Sequence, residues 1–167
     1  MEELYREESS RANDREVISW IIFLGVLGYI GYTVMRYVNT GVFQPIDWGF
    51  SFLALAIYIW RTRYDYTIII YKNKTMEIVT HGWFVNRSYT VDLTRTESFT
   101  NTYVRSFFRK TKISHYIHRY SSLDPNPQRL LVFTEGNKNK LAAVIFKGSD
   151  ELLKKLRHMM PDKYIQL

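Results

Sequence analysis

From Val17 to Met35 the chain runs nineteen residues without a charged side chain. A helix rises about 1.5 Å per residue, so a stretch of that length reaches about 28 Å, close to the hydrocarbon thickness of a bilayer. The leader before it, MEELYREESSRANDRE, holds three Arg against six Asp or Glu. A secretory signal would instead carry a positive segment there and a small-residue cleavage site, which Val34-Met35-Arg36-Tyr37 does not offer. The segment is expected to stay in the protein as a transmembrane helix.

A second apolar run, Trp48 to Trp60, reaches spanning length only if its helix starts near Gln44 or Pro45, where Pro suits a first turn. Asp47 then falls near the outer interface. A run this short is also what a buried core helix or a re-entrant segment shows. The brief, turn-rich link with Asn39-Thr40-Gly41 favours a hairpin, as does the aromatic placement: Trp20 with Trp60 at one interface, Tyr37 with Trp48 at the other. Gly25, Gly28 and Gly31, with Gly49, Ser51, Ala54 and Ala56, are expected to allow close helix contact. Arg and Lys flank the hairpin at both outer ends, with Arg61 and Arg63 directly after it, whereas Arg36 alone lies in the loop. By the positive-inside rule both termini are expected in the cytoplasm of a multi-pass inner-membrane protein. The expected organisation is a cytoplasmic N-terminal segment (1–16), a two-helix transmembrane hairpin (17–63, helices about 17–37 and 44–61) and a cytoplasmic domain (64–167).

After Trp60 the pattern becomes β-type. Tyr66 to Tyr71 (YTIIIY) is too short for another span and rich in β-branched and aromatic residues. The turn Lys72-Asn73-Lys74-Thr75 leads into a partner strand, Met76 to His81. Further strands are expected at Phe84–Leu93, Glu97–Val104, Ile113–Tyr120, Arg129–Thr134 and Leu141–Phe146, the last two forming a hairpin around EGNKNK. Ser149 suits an N-cap, and Leu152, Leu153, Leu156, Met159 and Met160 recur at helical spacing before Pro161. The fold class is therefore a membrane α-helical hairpin followed by an α+β domain of about seven antiparallel strands and one C-terminal helix.

The two spans, the opening YDYTIIIYKNKTMEIVT and the ending LLVFTEGNKNKLAAVIFKGSDELLKKL resemble bacterial membrane proteins that carry a pleckstrin-homology-like (PH-like) domain. The likeness covers nearly the whole chain after residue 16. It implies two antiparallel sheets folded as a barrel or sandwich over one core, with the terminal helix plugging an open corner. Inositide-binding PH domains use a first-hairpin Lys and then a basic-x-Arg pair. Lys74 is present and no such pair follows, so inositide binding is not implied.

Arg61 to Leu167 carry nineteen Lys or Arg against nine Asp or Glu. Beside a membrane, where each nearby cation contributes roughly 1 kcal/mol, that excess points to anionic lipid headgroups before nucleic acid. The PH-like pattern does not contain RSFFRKTK, and Arg105, Phe107, Phe108, Arg109, Lys110 and Lys112 are the main binding candidates, for lipid or for a protein partner. Their cations would meet phosphates while both Phe rings enter the interface; alternatively the rings turn into the core. Lys72 and Lys74 in the first hairpin loop, with juxtamembrane Arg61 and Arg63, are secondary candidates.

The chain has no cysteine, and its four histidines lack metal-ligand spacing: His115 and His118, three apart on a strand, face opposite ways. No GxSxG, HExxH or phosphate-binding Gly-rich loop is present, so neither catalysis nor a cofactor is expected. The expected role is a membrane-anchored, non-enzymatic scaffold or binding module. The alternative is a sensor whose barrel encloses a nucleotide-like ligand and controls helix assembly.

Overall fold

The structure is a computed structural model that describes residues 2–9, 13–62, 64–82, 86–104, 113–136 and 140–167, with only the backbone of Asn13, Trp60 and Arg61. It divides into two compact units, residues 11–63 and residues 1–10 with 64–167.

The first unit is two helices, α1 (Asn13–Thr40) and α2 (Pro45–Thr62). Gly41 ends α1: its φ of +67° is open to glycine at no steric cost, and its N–H donates to Tyr37 O at 2.8 Å. Phe23 and Tyr58 stack at 5.0 Å between ring centroids, and Ser19 Oγ lies 3.5 Å from Tyr58 Oη. The buried hydroxyls of Thr33 and Ser51 donate to the carbonyls of Tyr29 and Asp47, each at 2.9 Å and one turn back. That satisfies them without water. Most other apolar side chains of the pair, such as Ile21, Leu24, Val38, Phe50 and Leu53, are exposed.

One expectation is met only in part, and one is corrected. Among the described residues one helix, Asp14–Thr40, is long and apolar enough to cross a membrane, whereas the apolar part of α2, Pro45–Ile59, is shorter. The glycines do not make the helix contact either, since a Cβ added at Gly25, Gly28, Gly31 or Gly49 would meet nothing within 4 Å. Helical periodicity explains this: the inward row of α1 runs through Ser19, Phe23, Val26, Ile30 and Thr33, and the glycines fall on the other arc.

The second unit is built from two sheets and a helix. The first sheet is antiparallel in the order β1-β2-β3-β4, with β1 at Glu3–Glu8, β2 at Tyr64–Tyr71, β3 at Thr75–Gly82 and β4 at Asn86–Asp92. The second has the order β6-β8-β7-β5-β9, with β5 at Thr96–Thr100, β6 at His115–Arg119, β7 at Gln128–Glu135, β8 at Lys140–Lys147 and β9 at Tyr164–Ile165. Helix α3 (Asp150–Met159) follows β8, and Ser149 caps it as expected, accepting from Leu152 N–H.

The expectation of about seven antiparallel strands in a barrel or sandwich holds only in part. The described residues form nine strands and no closed barrel, and β6–β8 and β5–β9 pair in parallel. Because β8 inserts between β6 and β7, the connection containing Pro125 and Pro127 must pass over it, and β6 ends up running with β8. Strand β1 had no sequence signal: ELYREE, within the segment expected to stand alone, carries little apolar alternation and is held by pairing with YTIIIY on β2.

The main core lies between the sheets and under α3. Ile70, Met76 and Ile78 from one sheet meet Leu131, Val144 and Phe146 from the other, and Leu152 and Leu156 close it. Strands β7 and β8 are buried on both faces, as their unbroken apolar runs require. Leu130, Val132, Ala143 and Ile145 form a second cluster covered by Tyr103, Ile113, Tyr120 and Leu167.

Two polar devices tie the ends of this unit together. Arg129 is 1% exposed, and its guanidinium donates to Gly148 O at 2.8 Å, Asn101 O at 2.6 Å and Asp150 Oδ1 at 2.7 Å. Glu7 of β1 accepts from Ser149 N–H at 2.7 Å and from Ser149 Oγ at 2.6 Å, so the first strand holds the start of the last helix.

Candidate functional site

The basic link Arg105, Phe107, Phe108, Arg109, Lys110 and Lys112 lies outside the described residues, as do Arg63 and the side chain of Arg61. Lys72 and Lys74 occupy the β2–β3 turn, but Lys72 forms an ion pair with Glu2 and its N–H donates to Glu2 O. The acidic leader thus neutralises half of the first-hairpin pair. Lys74 adopts φ +61°, and its carbonyl accepts from Leu93 N–H.

In the helical unit Asp47 is held by an ion pair. Its carboxylate meets Arg36 Nη1 at 3.1 Å, and Tyr29 Oη lies 3.4 Å away. The pairing joins the two helices near their turn, next to an aromatic row in which Phe43 stacks on Trp48 at 6.1 Å.

The second unit has a small cleft between its sheets, lined by Glu7, Ser9, Arg119, Ser121, Asp124 and Lys147 together with Tyr66, Ile68 and Tyr120. Strand periodicity brings Arg119 there. Ile117 packs against the main core, and Arg119 shares its face two residues later. An arginine on the apolar face of an alternating strand is the sequence signal for this position. The cleft leaves about 10 Å³, room for about one water molecule. Small-molecule sites are typically about 300–1,000 Å³, so a nucleotide does not fit this cleft.

Beside the cleft the Arg119 guanidinium lies over the Tyr89 ring, 5.8 Å from its centroid. Tyr89 Oη approaches Glu135 at 3.4 Å, and Glu135 also meets His115 Nε2 at 3.2 Å. His118 turns the other way, against Tyr120, as the strand alternation requires. Burial first, then the Glu135 charge and hydrogen bond, push the Tyr89 hydroxyl up to about 12. An unfolded tyrosine ionises near 10, so the folded form is favoured below that pH and loses this contribution as pH rises towards 12. Ultraviolet titration of phenolate should show a late component that is smaller in Tyr89→Phe. An unchanged titration would remove the Tyr89–Glu135 assignment.

Among the described residues no group of three or more His, Cys, Asp or Glu is placed to hold a metal ion. Compared with protein-family models and with the curated proteins, the chain matches none.

Proposed function

We propose that this chain is a membrane-anchored, non-enzymatic binding module: a two-span hairpin that holds a PH-like domain at the inner membrane surface, facing a protein partner or anionic lipid. One observation carries most of this reading. Strand β1 precedes the helices and β2 follows them, and the two are paired from Glu3–Tyr71 to Glu8–Thr67. Both ends of the helical segment therefore return to one folded body. A body on one side of a bilayer requires an even number of crossings, so if α1 spans, α2 must come back.

The lengths are adequate for that. At about 1.5 Å per residue the eighteen residues of α2 reach about 27 Å, although their apolar stretch is shorter. The Arg36–Asp47 pair, the internally satisfied hydroxyls and the outward apolar side chains all suit a bilayer environment. Lys and Arg concentrated outside the hairpin turn support cytoplasmic termini. The PH-like reading is supported by a two-sheet core closed by a C-terminal helix, and it must accommodate the added strand β1 and the parallel pairs.

Because the chain lacks cysteine, single cysteines report cleanly on topology. A membrane-impermeant maleimide should label Val42→Cys in intact cells and Lys163→Cys only after permeabilisation. In the same membranes, a photo-crosslinking residue at Phe107 should yield lipid adducts or one discrete protein adduct. Equal labelling of the two cysteines would end the two-span reading, and crosslinks to neither class of partner would end the role assigned to the basic link.

A further inference from the structure

We propose that the edge of β5, with the Asn101 side chain that follows it, is a docking groove for an extended segment of a protein partner that carries an aromatic residue three positions before a leucine. Residues 164–167 of this chain fill that groove in the free protein. The occupant is the protein partner of the binding module proposed above, on which this reading rests, and the site lies wholly within the unit formed by residues 1–10 and 64–167.

The way the groove holds the chain's own segment shows what it recognises. Strand β5 pairs with β7 on one side and with β9 on the other, the latter through two parallel register pairs, Phe99–Tyr164 and Thr100–Ile165. The Asn101 amide then takes over from the backbone. Its oxygen accepts from Leu167 N–H at 2.8 Å, and its nitrogen donates to Leu167 O at 3.2 Å. One side chain thus offers the donor and the acceptor that a neighbouring strand would offer, which suits any extended backbone. Asn101 is itself fixed from behind, because buried Arg129 donates to its carbonyl at 2.6 Å.

Two side-chain sites add selectivity. The Tyr164 ring tilts against buried Phe99 at 5.4 Å between centroids, and the Arg157 guanidinium lies over it at 4.9 Å, a setting that favours an aromatic ring. Three residues later Leu167 covers the apolar cluster of Leu130, Val132, Ala143 and Ile145. Gln166 between them is exposed.

The present occupant is lightly held. Its ladder is two residues long, against eight for β7 with β8, and none of residues 164–167 is fully buried. Such a segment opens locally at far lower cost than the sheet beneath it. Strand β5 keeps its pairing with β7 when the segment leaves, so a formed edge is ready for a strand supplied in trans. A tethered occupant acts at roughly millimolar effective concentration, and a partner displaces it by binding more tightly than that.

The test uses the full-length protein in detergent micelles. In the parent protein, hydrogen exchange read by mass spectrometry should be at least about hundredfold faster in residues 160–167 than in residues 128–135 of β7. Exchange of both at one rate, as when the segment opens only with global unfolding, overturns the proposal. A fluorescein-labelled peptide MPDKYIQL, the sequence of residues 160–167, is then titrated into the parent and into the double variant Tyr164→Ala with Leu167→Ala. It should bind the variant at least about tenfold more tightly, because the competing segment in cis is weakened. Adding Asn101→Ala should weaken that binding by about tenfold, the loss expected for the amide clamp. Absence of saturable binding to both proteins overturns the proposal, as does equal binding of a peptide in which Tyr and Leu are both replaced by Ala. Dimers of the parent protein that free peptide breaks apart would assign the groove to a second copy of this chain and overturn the choice of a separate partner. None of these results bears on the labelling of Val42→Cys or the crosslinks from Phe107, which test the membrane reading and the basic link.

Discussion

Arg129→Ala should destabilise the protein by about 3–5 kcal/mol, the largest effect expected of any single polar substitution in this fold. The guanidinium is almost completely buried and joins β7 to two other parts of the chain: the turn at Asn101, and the start of α3 through the carbonyl of Gly148 and the carboxylate of Asp150. Truncation would leave two backbone carbonyls short of a donor and open a void beneath the helix start, and unmet buried groups cost about 1–3 kcal/mol each. The ion pair itself contributes little, because the Asp150 side chain is 87% exposed and water screens it. Asp150→Asn should therefore change stability by less than about 1 kcal/mol. Arg129→Lys should fall between the two, keeping one donor group without the fork. Urea unfolding of the full-length protein, followed by circular dichroism, gives the comparison. Equal losses in Arg129→Ala and Asp150→Asn would show that the exposed ion pair matters more than the backbone bridges.

Glu7→Ala should cost about 2–3 kcal/mol, a large effect for a residue on an edge strand near the N-terminus. Its two carboxylate oxygens accept from the backbone and the hydroxyl of Ser149, and both are charge-assisted bonds. Ser149 in turn accepts from Leu152 N–H at 3.2 Å, so Glu7 orients the residue that caps α3. Glu7→Gln keeps one acceptor oxygen and should lose about half as much. A double-mutant cycle with Ser149→Ala should return a coupling of at least about 1 kcal/mol. Additive losses would mean that β1 is held by its ladder with β2 and by Tyr5 alone.

Much of this architecture could be read from periodicity. The charge-free run beginning at Val17 dictated a long apolar helix, and the apolar runs at Arg129–Thr134 and Leu141–Phe146 read as the antiparallel pair that β7 and β8 form. Ser149 with Leu152 and Leu156 announced the C-terminal helix, cap included. These signals are local: each depends on which side chains recur on one face of one element.

The misses share the opposite property. Strand β1 looks like a charged leader because its strand character comes from the partner β2, more than fifty residues away. Parallel pairing of β6 with β8 depends on where a proline-containing connection passes, which side-chain alternation does not encode. The glycines of α1 suggested a helix contact, yet the contact follows the arc chosen by Phe23, Thr33 and their partners on α2.

The candidate sites divide in the same way. Arg119 and Arg129 both sit in stretches that read correctly as strands, and nothing in their immediate neighbours separates them. Three acceptors from two distant segments converge on Arg129, whereas Arg119 Nε is buried beside a cleft without one. The sequence alone decided where the chain is apolar and at what period, because burial of side chains along one element is a local pattern. Tertiary structure alone decided which polar groups meet a partner, because hydrogen bonds act over about 3 Å and their acceptors come from segments that only folding brings together.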